Sequence, residues 1–335
     1  MEKNKYFILI GIVITILSVF LNYKVWNSNV VQVQVTSEFN TKKLSDEGFL
    51  KLENLDRNFP NLSATSFPIP GFYAKYHVSS EDYYNGLKIL NQETRDNPYL
   101  FFKESLKAEA YNKLGIRDSA FYYSKIAYEN LPGNSRHFEQ YITELVFNKD
   151  LKTIKDIFRE NRFKSNKEYW LIYFAAVIRL KDKNDQEIEN FAKQAIQKFG
   201  NDQQLKTISS YILHGEDNII KSYQLMDQGI KDFELNKFKD ASEKFIKAYE
   251  LNPEDYSIVE NIGMSLTKLK EYQKATEYFK IVVNDMKPQD GKSYFGLATC
   301  YAELNYKEKA CENLLISMEY NYRPSFVLYS KICKQ

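Results

Sequence analysis

The sequence predicts an all-α protein, an α-solenoid of stacked helix-turn-helix pairs preceded by one transmembrane helix, on three observations. A phrase returns at an interval of 34 residues: FKDASEKFIKAYELNP at 238–253 is followed by YQKATEYFKIVVNDMK at 272–287. Within it, small residues and aromatic rings hold fixed places. Residues 6–23 carry no charged side chain, unlike any later stretch.

The apolar run comes first in the chain. Eighteen residues at about 1.5 Å each reach roughly 27 Å, close to the hydrocarbon thickness of a bilayer. Tyr6 at one end and Tyr23 with Trp26 at the other suit the two interfaces, and Lys5 and Lys24 bracket the run. A cleaved signal peptide, which would leave a secreted soluble binding protein, is the competing reading. It calls for a small-x-small cleavage site, yet no Ala occurs before Ala64. No Cys follows the run, so lipid attachment is not offered. Lys3, Lys5 and the terminal amine precede the span, whereas Lys24 alone follows it directly, with Lys42 and Lys43 farther on. Positive-inside reasoning places residues 1–26 as a cytosolic stub and single membrane helix, with the C-terminal domain periplasmic or otherwise extracytoplasmic. Residues 27–44, NSNVVQVQVTSEFNTKKL, alternate like a short strand without a second strand pattern nearby, so an extended tether is expected there.

The repeats follow. Gly229 and Gly263, Phe238 and Tyr272, Ala241 and Ala275, Phe245 and Phe279 each stand 34 residues apart, as do Ala74 and Ala108, Gly86 and Ala120, Pro98 and Pro132. A further unit near the C-terminus has Ala298 and Ala310 in the small-residue slots, one residue later than a strict period gives. Two antiparallel helices approach closely only where one presents Gly or Ala, and a ring such as Phe245 or Phe279 fills the space beside that contact. A lone pair leaves an apolar face bare, so pairs must stack. Pro after each second helix stops it. Ser165-Asn166-Lys167-Glu168 has capping-box spacing, and Asn252-Pro253-Glu254-Asp255 sets a turn and acidic residues ahead of the next helix.

Copies run over 67–100, 101–134, 135–167, 168–202, 222–255, 256–290 and 291–324; those at 135–167 and 168–202 keep the helical period but lose most markers. The stretch 203–221 interrupts the register, with a break at His214-Gly215-Glu216-Asp217. An N-terminal lobe at 45–202 and a C-terminal array at 203–335 are therefore expected. The array ends in a capping helix, PSFVLYSKICKQ, with Lys331 and Lys334 suiting its C-terminal dipole.

The phrase resembles the tetratricopeptide repeat (TPR), a helix-turn-helix unit of about 34 residues with small residues in each helix, a following aromatic and a terminal Pro. Gly229, Ala241, Phe245, Ala248 and Pro253 match it in one copy, and Ala108, Gly115, Ala120, Ala127 and Pro132 in another. The resemblance implies a concave groove lined by the first helix of each pair, taking a protein or peptide partner. The lining positions are Tyr223, Met226, Ile230 and Phe233, then Glu260, Asn261, Met264 and Lys268, then Lys292, Phe295 and Thr299. One subset of such proteins grips a terminal carboxylate with a Lys and Asn pair; Met226 and Ile230 stand at those places here, so that clamp is not expected. A fainter likeness joins DNPYL at 96–100 and DSAFYYSKIAYENLP at 118–132 to the repeat-bearing tails of bacterial O-antigen ligase or polymerase proteins. Their many-span catalytic part is missing, so that likeness implies at most an accessory role in surface-polysaccharide assembly.

Catalytic chemistry finds little footing. There is no GxxxxGK[ST] loop, no GxGxxG after a strand, no HExxH and no GxSxG. His77, His137 and His214 are widely separated, and acid pairs such as Glu81-Asp82 and Glu254-Asp255 sit at helix starts, where capping is the ordinary role. Neither enzyme activity, cofactor, metal nor small-molecule substrate is expected. Net charge is +2, and 38 Lys stand against 8 Arg, the residue that phosphate and base recognition favours, so no nucleic-acid partner is expected. The three cysteines, Cys300, Cys311 and Cys333, are odd in number and lack CxxC spacing, which predicts buried core thiols and no disulfide framework.

Overall fold

The computed structural model describes residues 2–41, 43–56, 59–60, 63, 69–92, 97, 99–180, 185–199, 202–286 and 290–334. Pro98 and Lys42, and the side chains of Lys3 and Lys5, lie outside the described residues. Among the described residues the chain is all α, without strands, and it divides into two compact units, 1–163 and 164–335. The division falls ahead of the 202/203 boundary that the repeat register suggests.

Unit 1 opens with α1 (Glu2–Thr41), a single helix of 40 residues. Its Tyr6–Thr41 stretch has a most apolar window of mean hydropathy 2.2, long and apolar enough to cross a membrane. The expected tether is thus helical through Thr41. The alternation VVQVQV yields to a 3.6-residue period because tertiary burial selects it: Ser28, Val31, Gln32 and Val35 are buried at i, i+3, i+4 and i+7, while Val30 and Val33 face outward. Val31 and Val35 meet Leu52 and Leu55 of the next segment and Ile69, Phe72 and Tyr76 beyond it, with Phe39 at the edge. The helix that returns along this stalk is α2 (Asp46–Glu53), capped by Ser45, whose hydroxyl accepts the Gly48 N–H at 2.9 Å and donates to Glu38 at 2.7 Å. Three further pairs complete the unit: α3 (Ile69–Ser79) with α4 (Tyr83–Gln92), α5 (Phe102–Lys113) with α6 (Arg117–Asn130), and α7 (Ser135–Phe147) with α8 (Leu151–Glu160).

Unit 2 holds α9 (Lys167–Leu180), α10 (Gln186–Phe199), α11 (Gln203–His214), α12 (Glu216–Glu234), α13 (Phe238–Leu251), α14 (Tyr256–Lys268), α15 (Tyr272–Lys280), α16 (Lys292–Glu303), α17 (Lys307–Glu319) and the cap α18 (Arg323–Ile332). The expected break appears at Gly215, whose φ of 83° separates α11 from α12. Asn166, rather than Ser165, caps α9, its side-chain oxygen accepting the Glu168 N–H at 3.0 Å.

The period is written in the backbone as well as in the side chains. Left-handed residues close the first helix of successive pairs at Glu81, Gly115 and Lys149, and again at Asn236, Lys270 and Asn305. At each the next N–H reaches back five residues to a carbonyl: Asp82 to His77, Ile116 to Tyr111, Asp150 to Leu145, Lys237 to Asp232, Glu271 to Leu266 and Tyr306 to Tyr301, all at 2.9 Å. This is the Schellman closure, which satisfies carbonyls that the helix end would leave bare. It persists at Lys149, inside a copy whose sequence markers are lost.

The small-residue logic holds where the markers are strong. A methyl group added at Gly229 would lie 2.6 Å from the Phe245 ring, and one at Gly263 2.9 Å from the Phe279 ring. Both rings are buried, with Ala241, Ala248 and Ala275 beside them. After α15 the helix widens into a π turn, Ile281–Met286. Bonding to the fifth residue accommodates more chain per turn than bonding to the fourth. The turn lies where the register of the last repeat slips by one, ahead of Ala298 and Ala310.

The cysteine expectation is corrected. Cys300 is a buried thiol, pushed above the usual thiol range by burial, but Cys311 of α17 is bonded to Cys333, which ends α18. Their Cα atoms stand 5.8 Å apart, a separation that a disulfide spans. Spacing along the chain could not reveal this, because α18 folds back on α17 only in the assembled stack.

Candidate functional site

The residues expected to line a groove lie on α12, α14 and α16, the first helices of the last three pairs. Each helix turns its small residue, Gly229, Gly263 or Ala298, into the core, so the flanking positions face outward to different extents. Ile230 is 36% exposed and Lys268 is exposed, while Tyr223, Met226, Phe233, Asn261, Met264, Lys292, Phe295 and Thr299 are half-buried. Met226, Phe233 and Met264 rest on the margin of the core with part of each side chain left uncovered. Flexible thioethers in such a position suit an adaptable contact surface.

Several of these residues also hold the stack together. Glu260 is only 4% exposed and joins α14 to α16, accepting from Lys292 Nζ at 2.5 Å and Ser293 Oγ at 2.6 Å. Tyr223 lies 3.5 Å from the Thr207 hydroxyl of α11, and burial raises its phenol. Phe295 sits against the Tyr322 ring at 5.4 Å between centroids, so the start of α18 covers the far end of the row. Thr299 turns its hydroxyl back to the Phe295 carbonyl at 2.9 Å. The structure therefore brings Glu260 and Lys292 together as a pair and leaves Met226, Ile230, Asn261, Met264 and Lys268 as the open part of the row.

Sequence reasoning missed a second feature of unit 2, a cleft of 810 Å³ between α10, α11, the α13–α14 turn and the π turn. Its apolar wall includes Ile196, Phe199 and Met286; its polar wall includes Lys193, Glu254 and Asp285. At its base Lys206 of α11 donates to Asp255 at 2.8 Å, with the two side chains only 4% and 3% exposed. The Lys206 ammonium also lies 4.4 Å from the Tyr256 ring centre. Asp255 caps α14 through the Ser257 N–H at 3.1 Å and hydroxyl at 2.7 Å, so one carboxylate serves both the helix end and the buried cation. Burial and the nearby Asp290 charge push the Tyr256 phenol up to about 12, and burial lowers His214 from the usual imidazole range. Lys206 and Asp255 are 49 residues apart, off the 34-residue period, which is why laying the chain against itself did not pair them. The only available signal was that Lys206 falls in the interrupted stretch 203–221.

Among the described residues no group of three or more His, Cys, Asp or Glu side chains is placed to hold a metal ion. The cleft sets ammonium, carboxylate and ring side by side, with the buried Lys206 already paired to Asp255.

No family model matches the chain, and no curated protein matches it. Solved structures do. The yeast Sti1 TPR2AB domain, in complex with pHSP90, aligns at 14% identity over 70% of this chain and 96% of that one, with a TM-score of 0.31. A tetratricopeptide repeat protein from Parabacteroides merdae aligns at 10% identity over 89% of this chain and 94% of that one, TM-score 0.30. The Cut9–Hcn1 hetero-tetramer of the APC/C aligns at 14% identity over 85% of this chain and 51% of that one, TM-score 0.32. With similarity at this level, the fold assignment rests on this chain's own hairpins, their period and their Schellman closures, which define an all-α stack of TPR-type helix pairs.

Proposed function

We propose that this chain is a membrane-anchored TPR-type scaffold that binds an extended or helical protein segment along the open row of α12, α14 and α16, without catalysis. The observation that carries the reading is the row itself: Met226, Ile230 and Met264 keep apolar surface uncovered beside Asn261 and Lys268, on helices whose opposite faces are committed to the core. Apolar anchors with a polar rim are what a helix or strand of a partner needs. Every groove residue falls after position 203, so the division by repeat register, 45–202 and 203–335, serves as the functional one. Photocrosslinkers at Ile230 and Lys268 should capture a common partner, and Met226→Asp with Met264→Asp should abolish capture while leaving the thermal transition in place. Capture undiminished by both substitutions would move the binding face elsewhere.

Retention of α1 as the anchor is supported by its continuity: the helix carrying the apolar run goes on, unbroken, to supply Val31 and Val35 to the core of unit 1. For the orientation, the Lys3 and Lys5 asymmetry and the Cys311–Cys333 bond agree, since disulfides persist in oxidising compartments and are rare in reducing ones. Thiol counting on the denatured chain tests this: one reactive thiol without reductant and three with it are expected, whereas three in both cases would remove the support for an extracytoplasmic array. The polysaccharide reading rests on 96–100 and 118–132, where Asp96 and Pro98 lie outside the described residues and 118–132 largely forms α6. A surface-glycan profile after gene deletion would decide it.

A further inference from the structure

We propose that the base of the first hairpin, from Asn54 to Asp56, docks on the headgroup layer of the bilayer that α1 enters, so that unit 1 stands on the lipid surface at a fixed height; the partner surface is phospholipid headgroups. This rests on the reading of α1 as a retained span.

The argument is one of distances along a single helix. Tyr23 ends the uncharged run, and Lys24 is the first charge after it. From Ser28, which is 2% exposed, the same helix has protein against one side, with Val31 at 5% and Val35 at 0%. Five residues separate Tyr23 from Ser28, roughly 7 Å at the helical rise of about 1.5 Å. The headgroup region on each side of a hydrocarbon core is itself about 5–8 Å deep. The folded protein therefore begins inside that layer, with no room for a water-filled gap.

The antiparallel run of α2 brings a particular segment to that level. Ser45 meets Glu38 at 2.7 Å, Lys51 meets Gln34 at 3.0 Å, and Asp56 meets Lys24 at 2.5 Å. As the chain advances from 45 to 56, its partners descend α1 from 38 to 24, toward the membrane end. The Lys24 ammonium, 5.1 Å from the Phe20 ring centre, carries the Asp56 carboxylate to the end of the apolar run. Leu55 is locked into the core of the hairpin, which fixes the height of its neighbours Asn54, which is exposed, and Asp56. Trp26 and Tyr23, 61% and 60% exposed with ring centres 6.1 Å apart, lie in the same layer, where amphipathic rings are at home. At the other end of the hairpin, Lys43 is exposed about 20 residues above Tyr23, roughly 30 Å away.

The test uses the full chain in phosphatidylcholine vesicles that carry a nitroxide on the headgroup. Asn54→Cys and, separately, Lys43→Cys are labelled without reductant by a fluorescent thiol reagent, with the unsubstituted chain as the blank because Cys300 is buried and the other two cysteines are bonded. Quenching at position 54 should exceed that at position 43 at least several-fold. A Gly-Ser-Gly-Ser insertion after Trp26 should bring the two close to equality while the chain still floats with the vesicles. Equal, weak quenching in a chain that floats and resists carbonate would overturn the docking and leave the anchor standing. Strong quenching unchanged by the insertion would overturn the fixed height. A chain that no longer floats would bring down the anchor reading, and the docking with it.

Discussion

Two regions of unit 2 solve the same packing problem by opposite means. In the pairs α12–α13 and α14–α15 the first helix offers a glycine and the second a ring, so the backbones approach closely along their length. In α9–α10 the bulk sits on the first helix: Tyr169, Trp170, Tyr173 and Phe174 are all buried, and the second helix answers with Ala192 and Ala195. Trp170 meets Phe191 at 6.2 Å and Phe199 at 6.1 Å between ring centres, and the two backbones hardly approach. The pair α7–α8, filled by Phe138, Tyr141, Ile154 and Phe158, is likewise splayed. A pair held apart by rings has no need of glycine at its crossing. The copies at 135–167 and 168–202 therefore lose their small-residue markers without losing the hairpin.

The largest test strikes the splayed pair. Trp170→Ala removes the ring that spaces α9 from α10 and its hydrogen bond to the Lys164 carbonyl at 2.8 Å, and should cost about 3–5 kcal/mol in equilibrium denaturation. A loss under about 1 kcal/mol would mean that the ring is not the spacer. Next comes the joint between the two regions, where Lys206 of α11 meets Asp255 at the start of α14. Lys206→Met leaves a buried carboxylate without its cation and should cost about 3 kcal/mol or more, with Lys206→Met/Asp255→Asn less damaging than the sum of its parts. Additive losses would show that the pair is not coupled.

In the close-packed pairs the sign of the packing effect reverses. Gly229→Ala forces a methyl group against the buried Phe245 ring and should cost about 1–3 kcal/mol, partly recovered by Phe245→Leu. No recovery would place the strain elsewhere. The turns give a smaller effect of known sign. Lys149→Gly at a φ of 56° should stabilise by up to about 1 kcal/mol, and Gly115→Ala at 74° should destabilise by about 1–2 kcal/mol, both read from the shift in denaturant midpoint.

The smallest effect is on acid sensitivity. The Asp150 carboxyl is held below the usual range by hydrogen bonds from Thr153, and that of Asp202 by the Lys167 ammonium at 2.6 Å. Because the folded-state value is depressed, this stability is fully present above the unfolded Asp value of about 3.9 and is lost as pH falls through the lower folded value. The second helix α13 has no such side-chain cap at Lys237. Asp150→Asn should therefore narrow the difference in stability between about pH 6 and about pH 3, whereas Lys237→Asn should leave it unchanged.

Much of this was readable in the chain, for identifiable reasons. Gly229, Gly263, Phe245 and Phe279 repeat because the contact they make is local to one hairpin, and local contacts leave periodic marks. The break at Gly215 was legible because a left-handed or extended glycine is what ends a helix abruptly. The groove positions could be placed by counting from the small residues, but not their commitments: that Glu260 binds Lys292, or that Phe295 meets Tyr322, depends on a neighbouring helix. The cleft at Lys206 and Asp255, the Cys311–Cys333 bond and the helical course of residues 27–41 were not legible, since each joins residues that the repeat period does not relate.

By itself the sequence determined the helical class, the hairpin interval, the long apolar N-terminal stretch and the positions of close approach, because each follows from spacing along one or two helices. Tertiary structure alone decided which half of α1 is wrapped in protein, which cysteines meet, and which outward-facing residues stay open, because those outcomes depend on what packs against each helix.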